Sequence, residues 1–185
     1  VLSNSWGSTS ALPVIYSAIQ DVTEPGGIGR EGKGCVVLFA SGNWASGGSV
    51  IYPAKYPEVI AVGATNHNDV VWYYSGSGPE LDIVAPSGDC DLLGNIWTTD
   101  IAGSAGYNNR TPGILDYTDK MGGTSGACPV AAGVAALVLS LEPNLANTNV
   151  QDILQASAVD LGAPGRDNSY GYGRVDANYA LVNTK

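Results

Sequence analysis

Short apolar runs alternate along the chain with stretches in which apolar residues recur every three or four positions. That alternation predicts most of the secondary structure. The runs Val36–Ala40 (VVLFA) and Val59–Ala64 (VIAVGA) are apolar at successive positions, not at every second one. Strands of this kind are covered on both faces, as in a parallel sheet. Further strands are expected at about Val1–Asn4 and Leu81–Ala85, and helices at about Leu12–Asp21, Thr124–Leu141, Thr148–Ala156 and Ala177–Val182. Strands and helices in this order predict an α/β domain built on a largely parallel sheet. Between Ser87 and Gly123 the chain is polar, with Gly and Asp throughout, and is expected to form a hairpin and surface loops.

The helix expected from Thr124 has an unusual composition. Ala127, Ala131, Ala132, Gly133, Ala135 and Ala136 leave it small on nearly every side. A helix apolar all round is expected to be buried. Its apolar run, from Val130 to Leu141, falls short of the ~20 residues that a bilayer core requires, so no membrane contact is expected.

Composition adds limits but little fold. With 185 residues, 44% apolar and 14% charged, the chain can bury a substantial core. A net charge of −9, with no Lys/Arg cluster, argues against a nucleic-acid partner. The opening VLSNSWG has no basic stretch followed by an apolar one, and it starts inside an apolar segment, from which we expect that chain precedes it. Cys35, Cys90 and Cys128 match no metal-ligand spacing; Cys128, in the small-residue helix, is expected to be a buried thiol. Asn109-Arg110-Thr111 is a glycosylation sequon.

Chemistry enters with Gly122-Gly123-Thr124-Ser125-Gly126-Ala127-Cys128-Pro129-Val130. Taken alone, Ser125 is equally a helix cap and a nucleophile placed at the positive end of a helix. A nucleophilic serine needs a base, and donors for the oxyanion formed when it attacks a carbonyl. Asn43, after the buried strand in Phe39-Ala40-Ser41-Gly42-Asn43, falls at the carboxyl edge of the sheet, where open α/β sheets place their sites. It reads either as turn chemistry or as a side-chain donor beside the Ser125 amide.

Six ordered segments decide between these readings. Gly123-Thr124-Ser125 with Pro129 is similar to the nucleophile motif of the subtilisin-like serine proteases, the subtilases, and Ser41-Gly42-Asn43 to their oxyanion segment. Ser5-Trp6-Gly7 resembles the extended segment that pairs with substrate backbone. Residues 52–64 (YPAKYPEVIAVGA), 79–86 (PELDIVAP) and 171–177 (GYGRVDA) continue the resemblance. The resemblance implies that residues 1–185 are the C-terminal part of a single subtilase catalytic domain, a three-layer α/β fold with helices on both faces of the sheet, incomplete without an N-terminal segment. It implies peptide-bond hydrolysis through an acyl-enzyme on Ser125, with Asn43 and the Ser125 amide holding the oxyanion. It also implies secretion or another extracytoplasmic setting.

One departure is large. Subtilases order their triad Asp, His, Ser, and positions for the first two would precede Val1. The only histidine is His67, in the surface-like stretch Thr65-Asn66-His67-Asn68-Asp69. The chain alone is therefore expected to be inactive, and its partner is expected to be an N-terminal segment of the same protease carrying Asp and His. Alternatives are a non-catalytic structural or binding module, and a serine-carboxyl peptidase (sedolisin); Asn43 stands where sedolisins use an aspartate, which counts against the latter.

By the same resemblance, the primary substrate pocket lies between Ser5-Trp6-Gly7 and Ala40-Ser41-Gly42, with Ile51 near its base. A branched residue there, and no carboxylate, predicts cleavage after small or modest apolar residues. The backbone carbonyls of Ala54, Tyr56 and Val59 with Asp82 resemble a weak cation site of some subtilases, so a structural Ca²⁺ is an expectation, although no cofactor is required for the chemistry.

Overall fold

The structure is a computed structural model that describes residues 1–89, 96–108 and 115–184. Cys90, Asp91 and the sequon at 109–111 lie outside the described residues. In chain order the strands are β1 (Leu2–Asn4), β2 (Val37–Ala40), β3 (Gly48–Ser49), β4 (Ile60–Thr65), β5 (Gly76–Ser77), β6 (Ile83–Pro86), β7 (Ile96–Thr99) and β8 (Tyr117–Met121). The α-helices are α1 (Pro13–Thr23), α2 (Gly123–Leu141), α3 (Asn147–Ala156) and α4 (Ala177–Val182).

The central sheet has the order β1-β2-β4-β6, and every neighbour is parallel. Alternate side chains of each strand enter different cores, as the pleat requires. Leu38, Ala40, Ile60, Val62, Ala64, Ile83 and Ala85 pack with Ala127, Ala131, Ala135 and Val138 of α2 and with Val150 and Leu154 of α3. Val37, Phe39, Ala61 and Val84 point the other way, to Ile19 of α1. This is the expected three-layer arrangement, and it explains why VVLFA and IAVGA show no alternation.

The two edges of the sheet differ. Beyond β6, the Val84 N–H donates to Gly173 O and the Val175 N–H to Val84 O, each at 2.9 Å, so residues 173–175 cover that edge. Beyond β1 no strand lies among the described residues.

The four predicted helices are present with ends shifted by at most two residues, α4 matching at both ends, and the expected hairpin is the antiparallel pair β7–β8. One expectation needs correcting: α2 is not buried on every side. Its sheet-facing residues are fully enclosed, but Val130, Leu137 and Leu141 are 38%, 46% and 47% exposed. With Gly133, Ala136 and Ser140 they form one outward stripe. By length and composition α2 could cross a bilayer, a point that the shorter run from Val130 had concealed. Its inner face is the central packing element of the domain, which makes it a core helix.

Candidate active site

Ser125 is the third residue of α2 and is half-buried. The helix begins abruptly because Gly123 has φ +70°, a left-handed conformation that glycine adopts without strain. A Cβ at Gly123 would stand 2.9 Å from Asn43 Nδ2, so only glycine lets the two segments approach this closely. Ser87, just past β6, donates its hydroxyl to Gly123 O at 2.6 Å, and Trp72 Nε1–H donates to Ser87 O at 3.0 Å. The turn before the serine is thus held from the sheet side.

Helix N-termini leave their first N–H groups without helical partners. Here most find one: Gly123 N–H donates to Gly88 O at 2.9 Å, Thr124 N–H to Asn43 Oδ1 at 2.9 Å, and Gly126 N–H to Gly122 O at 3.1 Å. The Ser125 N–H has no partner among the described residues. It stands at the end of α2 where the helix dipole is positive.

Asn43 is oriented by the same turn. Its Oδ1 accepts from both the Thr124 N–H and the Thr124 hydroxyl, each at 2.9 Å. A backbone N–H can bond only to the amide oxygen, so the NH₂ group is necessarily turned away from Thr124 and toward solvent above Gly123. The fully buried Thr124 hydroxyl also accepts from the Gly42 N–H at 3.2 Å, tying the loop after β2 to α2. In the sequence Thr124 is only one letter of the serine motif, with no role of its own. Its task is legible only once β2 and α2 lie side by side, because residues 43 and 124 are 81 positions apart.

Ser5, Trp6 and Gly7 form an exposed segment beyond β1, with Trp6 edge-on to Phe39 at 5.1 Å between ring centres. The segment then pairs with Tyr52 through Ser8: the Ser8 N–H donates to Tyr52 O at 2.7 Å and the Tyr52 N–H to Ser8 O at 2.9 Å. Ala40, Ser41 and Gly42 run alongside, buried. Ile51 stands between the two walls. A Cβ on Gly7 would come within 2.5 Å of Ile51 Cδ1, and one on Gly42 within 3.1 Å of the same atom. The isoleucine therefore occupies the slot into which any side chain between these segments would project.

The cation expectation fares less well. Asp82 Oδ2 accepts from the Ala61 N–H at 2.7 Å, and Oδ1 accepts from Gln155 Nε2 at 2.8 Å and Gln151 Nε2 at 3.4 Å. Tyr56 O accepts from the Val59 N–H at 3.2 Å. Burial pushes the Asp82 carboxyl above the usual carboxylate range, against the pull of the Ala61, Gln151 and Gln155 hydrogen bonds. A calcium site takes six to eight oxygen ligands with charge to match. A single carboxylate already engaged by protein donors, beside Ala54, Tyr56 and Val59, does not fit that demand. Among the described residues no cluster of three or more His, Cys, Asp or Glu side chains supplies an alternative.

His67 lies in an exposed turn after β4, where the Asn66 side chain accepts from the Asn68 N–H at 2.8 Å and the Val70 N–H at 3.1 Å. No contact joins it to Ser125 among the described residues. Cys128 is buried, with Ser3 Oγ and Asn4 O each 3.6 Å from its sulfur, and burial raises its thiol pKa, as expected of an inert core cysteine.

Known proteins resemble this chain. The family model described as the subtilase family, Peptidase_S8, matches residues 1–173. A calcium-dependent protease of a Nostoc species is 43% identical over 166 residues, covering 83% of this chain and 25% of that protein. The halolysin-like extracellular serine protease Nep of Natrialba magadii is 40% identical over 149 residues, 80% of this chain and 24% of its own length. Among solved structures, a lanthipeptide protease superposes with a TM-score of 0.71 at 27% identity, covering 97% of this chain and 60% of the other. The chain spans about a quarter of the length of these two curated relatives. With a family match that runs from Val1 to Gly173 and takes in the Ser125 turn and the oriented asparagine, the chain belongs to the subtilase family of serine proteases.

Proposed function

We propose that this chain is the nucleophile-bearing part of a serine endopeptidase: Ser125 attacks the scissile carbonyl and forms an acyl-enzyme, while Asn43 Nδ2 and the Ser125 N–H hold the oxyanion. The observation that carries this reading is the Asn43–Thr124 pair, which turns the asparagine's donors outward beside the one first-turn amide left without a partner. An asparagine serving only as a turn residue has no need of two bonds that fix its amide plane. Preorganised donors of this kind stabilise the charge that develops in acyl transfer, because no reorganisation is needed as it forms.

A serine hydroxyl is a weak nucleophile until a base takes its proton. We assign that base, with its aspartate, to an N-terminal segment of the same protease, and this chain alone is inactive. Support comes from two uncovered surfaces: the open side of β1, with Leu2 43% exposed, and the stripe of α2 where Val130, Leu137 and Leu141 are uncovered. Unpaired strand edges and contiguous apolar stripes are features that folded proteins cover. Residues 1–185 are then part of one catalytic domain, and the assembled protease acts outside the cytoplasm, as the word extracellular in the name of the Natrialba relative suggests for that protein. Any calcium requirement, of the kind named for the Nostoc relative, is assigned to parts other than Ala54, Tyr56, Val59 and Asp82.

Specificity follows from Ile51. A side chain entering between Gly7 and Gly42 meets its branched end, so the enzyme cleaves after small or modest apolar residues.

Fluorophosphonate labelling tests the reading. The assembled protein, carrying its N-terminal segment, is expected to label at Ser125, as located by peptide mass spectrometry, and the isolated chain is not. An assembled, folded protein that leaves Ser125 unlabelled overturns the proposal in favour of a non-catalytic module.

A further inference from the structure

In an α-helix the carbonyl of residue i accepts from the N–H of residue i+4. For Ser125 that donor would belong to Pro129, which has no N–H and whose ring presses against the carbonyl four residues back. The carbonyl of Ser125 is therefore deprived of its helical partner. It is not left alone: Ser5 Oγ donates to Ser125 O at 2.9 Å, across 120 positions of sequence.

We propose that Ser5 is a positioning residue for the nucleophile, its hydroxyl standing in for the helical bond that Pro129 deletes. This goes beyond its reading as substrate-segment backbone, and it rests on Ser125 being the nucleophile. The peptide plane that follows Ser125 is fixed at its carbonyl end by Ser5, while the preceding turn is fixed by Asn43, Gly88 and Ser87. Between them these bonds set the direction in which the Ser125 N–H and Cβ point. The segment that carries Ser5 is anchored in turn to Tyr52 through the paired Ser8 bonds, so the tether has a fixed far end.

Ser5 is exposed, and in its absence water can hydrate the Ser125 carbonyl. The loss is then one of orientation, not of an unsatisfied buried group, and shows in rate more than in stability. For an exposed neutral hydrogen bond, a fall of about three- to tenfold in acylation rate is expected.

The experiment uses the assembled protease and a double-mutant cycle. Ser5→Ala is expected to lower kcat and the rate of fluorophosphonate labelling with KM and the thermal unfolding midpoint little changed, and Ser5→Thr, which keeps the hydroxyl, to restore both. Pro129→Ala returns an N–H to the helix, so in that background Ser5→Ala is expected to cost far less. A purely structural role for Ser5 would instead give the same loss in both backgrounds and a fall in midpoint. Labelling of Ser5→Ala at the parent rate, or an equal loss with and without Pro129, overturns the inference and leaves the protease reading standing. Failure of the parent to label removes both.

Discussion

Ile51→Ala tests whether the slot between Gly7 and Gly42 sets specificity. The substitution deletes Cγ1 and Cδ1, which lie against both glycine walls, and Cγ2, which lies against Gly42. Three apolar carbons at about 0.8 kcal/mol each amount to about 2.4 kcal/mol, which a longer substrate side chain recovers by filling the vacated space; this is roughly 50-fold in kcat/KM. The parent, with the space already filled, gains nothing from a side chain larger than its slot. The assay compares kcat/KM for two peptides differing only in Ala or Phe before the scissile bond, in parent and variant of the assembled protease. The Phe/Ala ratio is expected to rise by one to two powers of ten on substitution. Loss of a half-buried isoleucine also lowers stability, by about 1–2 kcal/mol, so the assay belongs well below the unfolding midpoint. A ratio that stays constant while both values fall together would refute the reasoning, since it would mean that Ile51 supports the fold without facing substrate.

Other consequences follow from the same geometry. Thr124→Val keeps the shape of the side chain but removes the hydroxyl that serves Asn43 and Gly42, leaving the Gly42 N–H unmatched at a buried position. It is expected to cost about 1–3 kcal/mol in a denaturant titration and, through the freed asparagine, about tenfold in kcat with little change in KM. At Asp82, burial makes the folded protein hold the proton more tightly than the unfolded chain does. That group adds stability below the ordinary aspartate range, and the contribution is lost as pH rises through its raised folded value. Asp82→Asn, with Gln155 turning its amide to accept, is therefore expected to stabilise at pH 7 relative to the parent. The gain should vanish near pH 3–4 when unfolding is followed at both values.

The fold was largely legible in the sequence because the strands of a sheet covered on both faces announce themselves as unbroken apolar runs, and Val36–Ala40 and Val59–Ala64 became the parallel pair β2 and β4. Ser125 and Asn43 stand out in the sequence by resemblance to a motif, and the structure brings their segments together. What joins them was not legible, since Thr124 acts through contacts 81 positions away and nothing in local pattern marks a threonine for that task. The reading of α2 as buried all round failed for a related reason. Small and apolar residues on every side show that a helix tolerates close packing everywhere, whereas burial depends on which neighbours are present. Asp82 illustrates the converse: the sequence supplied a carboxylate in the right segment, and Gln151 and Gln155, one helical turn apart on α3, had already claimed it.

That uncovered stripe on α2 also bears on how the site is completed. Ser125 opens the helix, and the exposed positions begin with Pro129 and Val130 and continue to Leu141. One turn of helix is about 5.4 Å, so whatever covers the stripe reaches to within about a turn of the nucleophile. Because α2 is clamped against β1, β2, β4 and β6 by a dense core, it presents the serine and the stripe as one rigid surface. In the proposed assembly, a segment docking there would bring its base to Ser125 without requiring α2 to move. The proposed oxyanion donors need no help from it, since the bonds from Thr124 that orient Asn43 lie within this chain. On the function proposed above, the division of labour is chemical as well as spatial: this chain holds the oxyanion's developing charge, and the docked segment supplies the proton acceptor.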